Sequence, residues 1–288
     1  MKRLVTAVVL LLAVACSGGS DAVKTLRFTA IPDQNTTELE RKFTPVAAYL
    51  AEALEVDVEY VPSRDYQASV DMFKNGDIQL AWFGGLTGVQ ARNAVEGARA
   101  IAQGESDPEF YSLFIAHEST GLTRSETFPA AIAALKFTFG SPSSTSGRLM
   151  PSLFITKETG KTPEEFFANA PAFSKSHDQT AELVESGQFQ AGVLNYVVYE
   201  RRVKEGKTNP DVCRVVWQTP TYADYNFTVH PAVETMFAAG FTDRIQKALL
   251  GMSDPDLLAA IGRKKLIKAS NEDFEGIREV AIELDMLR

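Results

Sequence analysis

Asp65-Tyr66-Gln67-Ala68-Ser69-Val70-Asp71-Met72-Phe73-Lys74-Asn75-Gly76-Asp77-Ile78-Gln79-Leu80-Ala81 aligns without a gap on Ser176-His177-Asp178-Gln179-Thr180-Ala181-Glu182-Leu183-Val184-Glu185-Ser186-Gly187-Gln188-Phe189-Gln190-Ala191-Gly192. Each copy runs through helical spacing to a glycine stop and ends in a strand. One helix-Gly-strand unit is commonplace; its gapless recurrence points to two similar α/β lobes. Facing each other, they would set the N-termini of these helices on corresponding walls of a shared crevice. Tyr66 and His177 would then stand in equivalent positions.

Outward from this echo, strand and helix patterns alternate almost throughout. Residues 26–31 read as a strand, 38–54 as a helix, 56–61 as a strand, 65–75 as a helix, 78–83 as a strand, 86–95 as a helix and 98–103 as a strand. A second unit begins after 110–116, with a strand at 136–140, a helix over 146–158, a helix over 178–186, and strands at 190–195 and 214–218. The tail from Pro231 is mostly helical. This order predicts α/β with a largely parallel sheet, and the two units join by a short, strand-like connection. The predicted lobes are residues 24–115 with 225–288, and residues 116–224. At 288 residues, 45% hydrophobic and 23% charged, the chain can bury one large core or two, and neither disorder nor collagen-like repetition fits.

The first fifteen residues read as an export signal: Met1-Lys2-Arg3 is basic, residues 4–12 are apolar, and Ala13-Val14-Ala15 is a small-residue cleavage site. The apolar run is shorter than the about 20 residues a spanning helix needs. Cys16 follows at once. Leu12-Ala13-Val14-Ala15-Cys16 resembles a bacterial lipobox, which implies acylation of Cys16, and Ser17-Gly18-Gly19-Ser20-Asp21 reads as a tether, so residues 16–23 form a lipid-anchor segment. A leucine three residues before the cysteine is more usual than Ala13. The alternative is a soluble secreted protein cut at the same bond. Of 29 Lys and Arg, Lys2 and Arg3 leave with the signal, so 27 face 37 Asp and Glu, a balance of −10 that argues against nucleic acid as a partner. Cys213 is left alone, as a buried small hydrophobe rather than half of an internal disulfide.

Phe139-Gly140-Ser141-Pro142-Ser143-Ser144-Thr145-Ser146-Gly147-Arg148 follows a strand and opens a helix. Free amides at a helix start lie at the positive end of its dipole, and three hydroxyl side chains add donors, so a small oxyanion fits there. Plain N-capping by Ser144 or Ser146 is the simpler reading, but three consecutive hydroxyl residues with a glycine exceed what a cap requires. These donors are uncharged, so local dipoles can hold an anion in an acidic protein. Gly84-Gly85 after Trp82-Phe83 makes a second strand-to-helix turn open to a ligand; the two aromatics either wall the crevice or fill the core. His177 beside Asp178 has no nucleophile motif with it, the chain has three histidines, and no G-x-S-x-G, H-E-x-x-H or P-loop occurs. The expectation is a binding protein, not an enzyme, with no metal or cofactor.

Taken in order, Ser63-Arg64-Asp65-Tyr66, Ala81-Trp82-Phe83-Gly84-Gly85, Tyr111-Ser112, Gly140-Ser141-Pro142-Ser143-Ser144-Thr145-Ser146-Gly147, Ser176-His177-Asp178 and Thr219-Pro220 with Asp224 resemble the phosphate/phosphite/phosphonate-binding proteins of bacterial ABC importers. The likeness covers nearly the whole mature chain. Residues 84–92 and Ser146-Gly147-Arg148-Leu149-Met150-Pro151 look closer to a selenate-binding branch. The resemblance implies a type II periplasmic-binding-protein fold, two α/β lobes closing on an oxyanion in the cleft between them. Ser144, Thr145 and Ser146 would hold the anionic head and Tyr66 and Tyr111 would donate phenolic hydrogen bonds. Phe83 and Gly84 would line the cleft, with His177 and Asp224 completing the far wall. The aminoalkylphosphonate binders of the family place a carboxylate near the strand end that here reads Val193-Leu194-Asn195-Tyr196, and no Asp or Glu occurs there before Glu200. A tail-less ligand is favoured.

Asp224 sharpens the expectation. A buried carboxylate repels an anion unless a proton lies between them. Monoprotonated phosphite or a small phosphonate supplies that proton, whereas selenate and sulfate are fully ionised. Arg148 would favour a more highly charged anion only if it turned inward. The expected role is delivery of phosphite or a small phosphonate to an ABC permease and its ATPase, from the periplasm or cell surface, as a monomer anchored through Cys16. Alternatives are a selenium-oxyanion binder, an oxyanion sensor module, or an enzyme on the same scaffold.

Overall fold

The structure, a computed structural model, describes residues 24–287; the expected signal, Cys16 and the tether lie outside the described residues. The chain first lays down β1 (Thr25–Ala30), α1 (Thr36–Leu54), β2 (Asp57–Tyr60), α2 (Tyr66–Lys74), β3 (Leu80–Phe83), α3 (Gly85–Ala94) and β4 (Arg99–Gly104). Then come β5 (Ser112–His117), β6 (Phe137–Phe139), α4 (Met150–Thr159), α5 (Pro163–Phe166), β7 (Ala172–Phe173), α6 (His177–Glu185), β8 (Ala191–Asn195), α7 (Tyr196–Lys204) and β9 (Cys213–Gln218). The tail adds β10 (Asn226–Val229), α8 (Val233–Met236), α9 (Phe241–Gly251), α10 (Pro255–Ala260), β11 (Leu266–Lys268) and α11 (Glu275–Glu283).

Two sheets result, ordered β2-β1-β3-β10-β4-β11 and β7-β6-β8-β5-β9. The five-strand patterns correspond: β1 is parallel to β2 and β3, and β6 is parallel to β7 and β8. In each sheet the strand arriving from the other lobe is inserted antiparallel, β10 between β3 and β4, and β5 between β8 and β9. The expectation of a largely parallel sheet is corrected to two mixed ones, because a strand entering from the opposite lobe runs against its neighbours. The sequence reading left β10 unassigned. Its four residues, Asn226-Phe227-Thr228-Val229, do alternate polar and apolar, but the run is too short to stand out as a strand between the crossing and the helical tail.

Two short segments cross between the lobes, and they pair with each other. Phe110 and Tyr222 exchange both main-chain hydrogen bonds at 2.9 Å. The Ser112 amide donates to Thr219 Oγ1 at 3.0 Å, and the Thr219 amide returns a 3.0 Å bond to the Ser112 carbonyl. All of β5 belongs to the second sheet, so the switch falls before Ser112 rather than at the expected 115/116 division. Behind the crossings, Arg263 Nε donates to both oxygens of Asp107 at 2.8 and 2.9 Å, with both side chains buried.

The echo holds turn for turn. Asp65 caps α2 through the Ala68 amide at 2.8 Å, and Ser176 caps α6 through the Gln179 amide at 3.3 Å. Gly76 and Gly187 follow the two helices at φ 77 and 72, a conformation open chiefly to glycine. Cys213 is buried in the second lobe's core, where burial pushes its thiol up to about 12. No helix among the described residues is long and apolar enough to cross a membrane.

Removing one partner of a buried ion pair strands the other charge. Asp107→Ala is therefore expected to lower the unfolding free energy by about 3–5 kcal/mol. Urea denaturation checks this, and a loss under about 1 kcal/mol, the scale of an exposed pair, would show that Asp107 and Arg263 do not hold the crossing.

Candidate functional site

The hydroxyl-rich turn is shaped by two glycines packed face to face. A Cβ on Gly140 would come 3.2 Å from the Gly147 Cα, and one on Gly147 would meet Ser144 Oγ at 2.9 Å. The Gly140 amide donates to the Gly147 carbonyl at 2.9 Å. Ser144 Oγ accepts from the Gly147 amide at 2.9 Å, while the amides of Arg148 and Leu149 both reach the Ser144 carbonyl, at 3.1 and 3.0 Å. The first turn is thus a widened π turn, Thr145–Leu149, of a kind often found at functional sites. Ser144 supplies the cap, and Thr145 and Ser146 sit at the helix start without intrahelical acceptors for their amides. All three residues are buried.

The first lobe meets this turn through Gly84 and Gly85. The Leu86 amide donates to Thr145 Oγ1 at 3.0 Å, and the Gly85 amide donates to Asp224 Oδ1 at 2.8 Å. A Cβ on Gly84 would lie 3.2 Å from both Asp224 Oδ1 and Thr145 Oγ1, so a side chain there would press the lobes apart. Tyr66, the first residue of α2, brings its hydroxyl beside Ser144. His177, the first residue of α6, brings Nε2 to 3.5 Å from Ser146 Oγ. Its Nδ1 accepts the Asn195 amide at 3.3 Å, which assigns the ring proton to Nε2, on the side of the hydroxyl turn. Ser112 Oγ donates to the Ser146 carbonyl at 2.7 Å, leaving Tyr222 to donate its phenolic proton to Ser112.

Tyr66 Oη and Asp224 Oδ2 are buried here without a hydrogen-bond partner, as is Nη1 of Arg148. Such groups are costly unless something outside the chain satisfies them. Burial pushes the Asp224 carboxyl up to about 7, against the Gly85 amide and the Thr145 and Ser146 hydroxyls, which favour its ionised form. Burial drives His177 down to about 4, so the imidazole is neutral near pH 7. The assembled donors are uncharged. Arg148 is turned away, bonded to Glu164 at 2.7 Å and lying over the Phe139 ring at 4.5 Å. A crevice of about 500 Å³ between the lobes, lined by Arg64, Tyr66, Gln67, Ser141, Phe173 and Lys175, leads from solvent to this edge of the site.

Of the residues chosen from the sequence, Tyr66, Gly84, Ser144, Thr145, Ser146, His177 and Asp224 gather in one place. Two do not join them. Tyr111 stacks on Tyr196 at 4.1 Å, because neighbours on a strand point to opposite faces and Ser112 takes the inward one. Phe83 lies in the first-lobe core with its ring edge against Phe73 at 5.6 Å. Sequence reading missed Tyr222, whose phenol backs the hydroxyl turn through Ser112, and Asp33, whose Oδ2 accepts a 2.6 Å bond from Tyr225 beside the site. A Pro220-Thr221-Tyr222 crossing carries no motif, although its nearness to Asp224 was a usable signal.

The sequence matches, over residues 28–274, the family described as "ABC transporter, phosphonate, periplasmic substrate-binding protein". It is 36% identical over 272 residues to the probable ABC transporter phosphite binding protein PhnD1 of Prochlorococcus marinus, covering 92% of this chain and 91% of that protein. The phosphate-import protein PhnD of Mycolicibacterium smegmatis is 26% identical over 306 residues, covering 95% and 92%. The structure resembles that of the Prochlorococcus PhnD1 in complex with methylphosphonate, with a TM-score of 0.87 over 92% of this chain and 99% of that one.

His177 and Asp224 titrate with opposite consequences. His177 falls from 6.5 to about 4 on folding, so acid favours the unfolded chain and stability drops as pH falls through that window. Asp224 rises from 3.8 to about 7, so folding takes up a proton there and stability is gained as pH falls from about 7 to 3.8. Asp224→Asn removes the gain, and thermal unfolding of that variant is expected to lose stability more steeply than the parent as pH drops from 6.5 to about 4. Parallel curves for the two proteins would show that Asp224 ionises normally.

Proposed function

The chain belongs to the family of periplasmic substrate-binding proteins of phosphonate ABC transporters, and from that premise we propose that it captures phosphite or a short phosphonate between its lobes and delivers it to a permease. The observation that carries this reading is the pair of unpartnered buried atoms, Asp224 Oδ2 and Tyr66 Oη, on side chains that reach the turn Ser144-Thr145-Ser146. Main-chain amides, hydroxyls and the His177 Nε2–H offer an oxyanion several donors without a full positive charge. Such a set suits a monoanion better than a dianion.

One proton shared with Asp224 completes the fit. Because the carboxyl titrates at about 7, the proton can come from either partner below that pH and only from the ligand above it. The preference for a protonated phosphorus oxyanion over selenate is therefore strongest in mildly alkaline solution. A long tail finds little accommodation. Asn195, at the strand end near which the aminoalkylphosphonate binders carry a carboxylate, caps α7 through the Val198 amide at 2.7 Å and donates to Tyr225 Oη at 3.0 Å.

In this reading Ser144, Thr145, Ser146, Tyr66, His177 and Asp224 hold the ligand, with Tyr222 and Ser112 behind them and Gly84 allowing the close approach. The moving bodies are residues 24–111 with 225–287, and residues 112–224, hinged at the paired crossings. Ligand makes contacts to both lobes only when they are closed, and this differential affinity drives closure. Acylated Cys16 tethers a monomer to the membrane, next to the permease and ATPase.

Calorimetric titration with phosphite, methylphosphonate, sulfate and selenate tests the reading. Phosphite or methylphosphonate is expected to bind one per chain, with affinity falling by roughly tenfold per pH unit once neither Asp224 nor the ligand carries the proton. Thr145→Val is expected to weaken binding by roughly tenfold or more. Failure of every phosphorus oxyanion to bind at millimolar concentration would overturn it, as would selenate binding more tightly than phosphite at alkaline pH.

A further inference from the structure

Lobe contact is not confined to the hydroxyl turn. The segment between β1 and α1 reaches the start of α6 through a reciprocal pair of bonds. The His177 amide donates to the Asp33 carbonyl at 3.0 Å, and the Asn35 amide donates to Asp178 Oδ2 at 3.2 Å. The other carboxylate oxygen, Asp178 Oδ1, is held from within the second lobe by Arg201 at 2.6 Å and Arg202 at 3.1 Å. Asp178 is therefore fixed by two guanidinium groups of its own lobe and aimed at an amide of the other. On the first-lobe side, Asn35 accepts the Thr37 and Glu38 amides at 3.0 and 3.3 Å as the cap of α1, which fixes the direction of its own N–H.

We infer that Asp178 and the Asn35 amide form a clasp between the lobes that sets oxyanion affinity without touching the ligand. Asp178 adjoins His177 in the chain, and His177 presents Nε2 to the site while its own amide grips Asp33. Seating the clasp and seating the imidazole are one movement. Apparent affinity scales with the fraction of molecules in the closed form, so a bond made only on closure tightens binding of any ligand that needs closure. Asp178 is a positioning residue in this scheme. Burial would raise its carboxyl, but Arg201 and Arg202 outweigh it and hold the group below the usual carboxylate range, so it accepts from Asn35 as an anion throughout the neutral range.

The inference rests on ligand-driven closure, as proposed above, and a pair of variants isolates it. Asn35 has φ −59, which proline adopts readily, and its carbonyl still accepts the Leu39 amide in either variant. Asn35→Ala loses the side-chain cap and keeps the N–H; Asn35→Pro loses both. The difference between them is the clasp bond. Asn35→Pro is expected to bind methylphosphonate roughly tenfold more weakly than Asn35→Ala, since a hydrogen bond to a charged acceptor is lost. Equal dissociation constants for the two would overturn the clasp and leave the ligand reading intact.

Should Asn35→Pro fail to fold, Asp178→Asn in the parent and in Asn35→Ala gives the same reading, with a several-fold loss expected in both and no loss counting against the clasp. Should the parent bind no phosphorus oxyanion, the ligand reading falls by itself. X-ray scattering then judges the clasp: variants lacking the bond must be more extended than Asn35→Ala, and superimposable profiles overturn it.

Discussion

Two strands of main chain lie side by side at the waist of this molecule, joined where Phe110 and Tyr222 exchange hydrogen bonds. Most of the architecture follows from that pairing. It delivers β5 and β10 antiparallel into sheets otherwise begun in parallel, and it brings Ser112, Tyr222 and Asp224 to the inner end of the cleft. The Asp224 amide donates to the Asp107 carbonyl at 3.0 Å and its Oδ1 accepts the Gly85 amide at 2.8 Å, so the carboxyl that faces the hydroxyl turn is held from the first lobe.

The chemistry of the site is that of dipoles rather than charges. Arg148, the one cation near the hydroxyl turn by sequence, is occupied by Glu164 and stacked on Phe139. What remains are amides at a widened helix start, hydroxyls, a neutral imidazole and a carboxyl whose pKa lies close to neutrality. A site of this kind recognises protonation state as much as shape, because an oxygen placed opposite Asp224 is attracted or repelled according to where a single proton resides. The distant negative charge of the chain matters little at this range.

Much of this was legible in the sequence because it was written locally. The helix, its glycine stop and the following strand recur over 65–81 and 176–192 with the same spacing, and that spacing alone aligned Tyr66 with His177. The run from Gly140 to Arg148 likewise carried its meaning in adjacent residues. What escaped was non-local. Tyr111 and Ser112 are neighbours whose strand phase decides which faces inward, and that phase is set by pairing with β8 and β9 rather than by local residues. Phe83 ends a strand beside Gly84, yet its ring packs backward on Phe73. Asp33 and Asn35 meet α6 across more than 140 positions of chain, a contact between the two lobes that no local pattern announces. Strand β10 was hidden because its alternation, Asn226-Phe227-Thr228-Val229, lasts only four residues, and its place between β3 and β4 depends on pairing across more than 120 positions of chain.

The buried state of Cys213 has a practical side. Its thiol sits in the second lobe's core, far less acidic than a free one, and is shielded from reagents in solution. A chain starting after Cys16 would thus be chemically silent towards maleimides until a new cysteine is placed on its surface. Phe173, 40% exposed on the rim of the crevice, is such a position. A fluorophore attached there would sit at the seam between the lobes, turning the protein into an optical gauge of its own cleft.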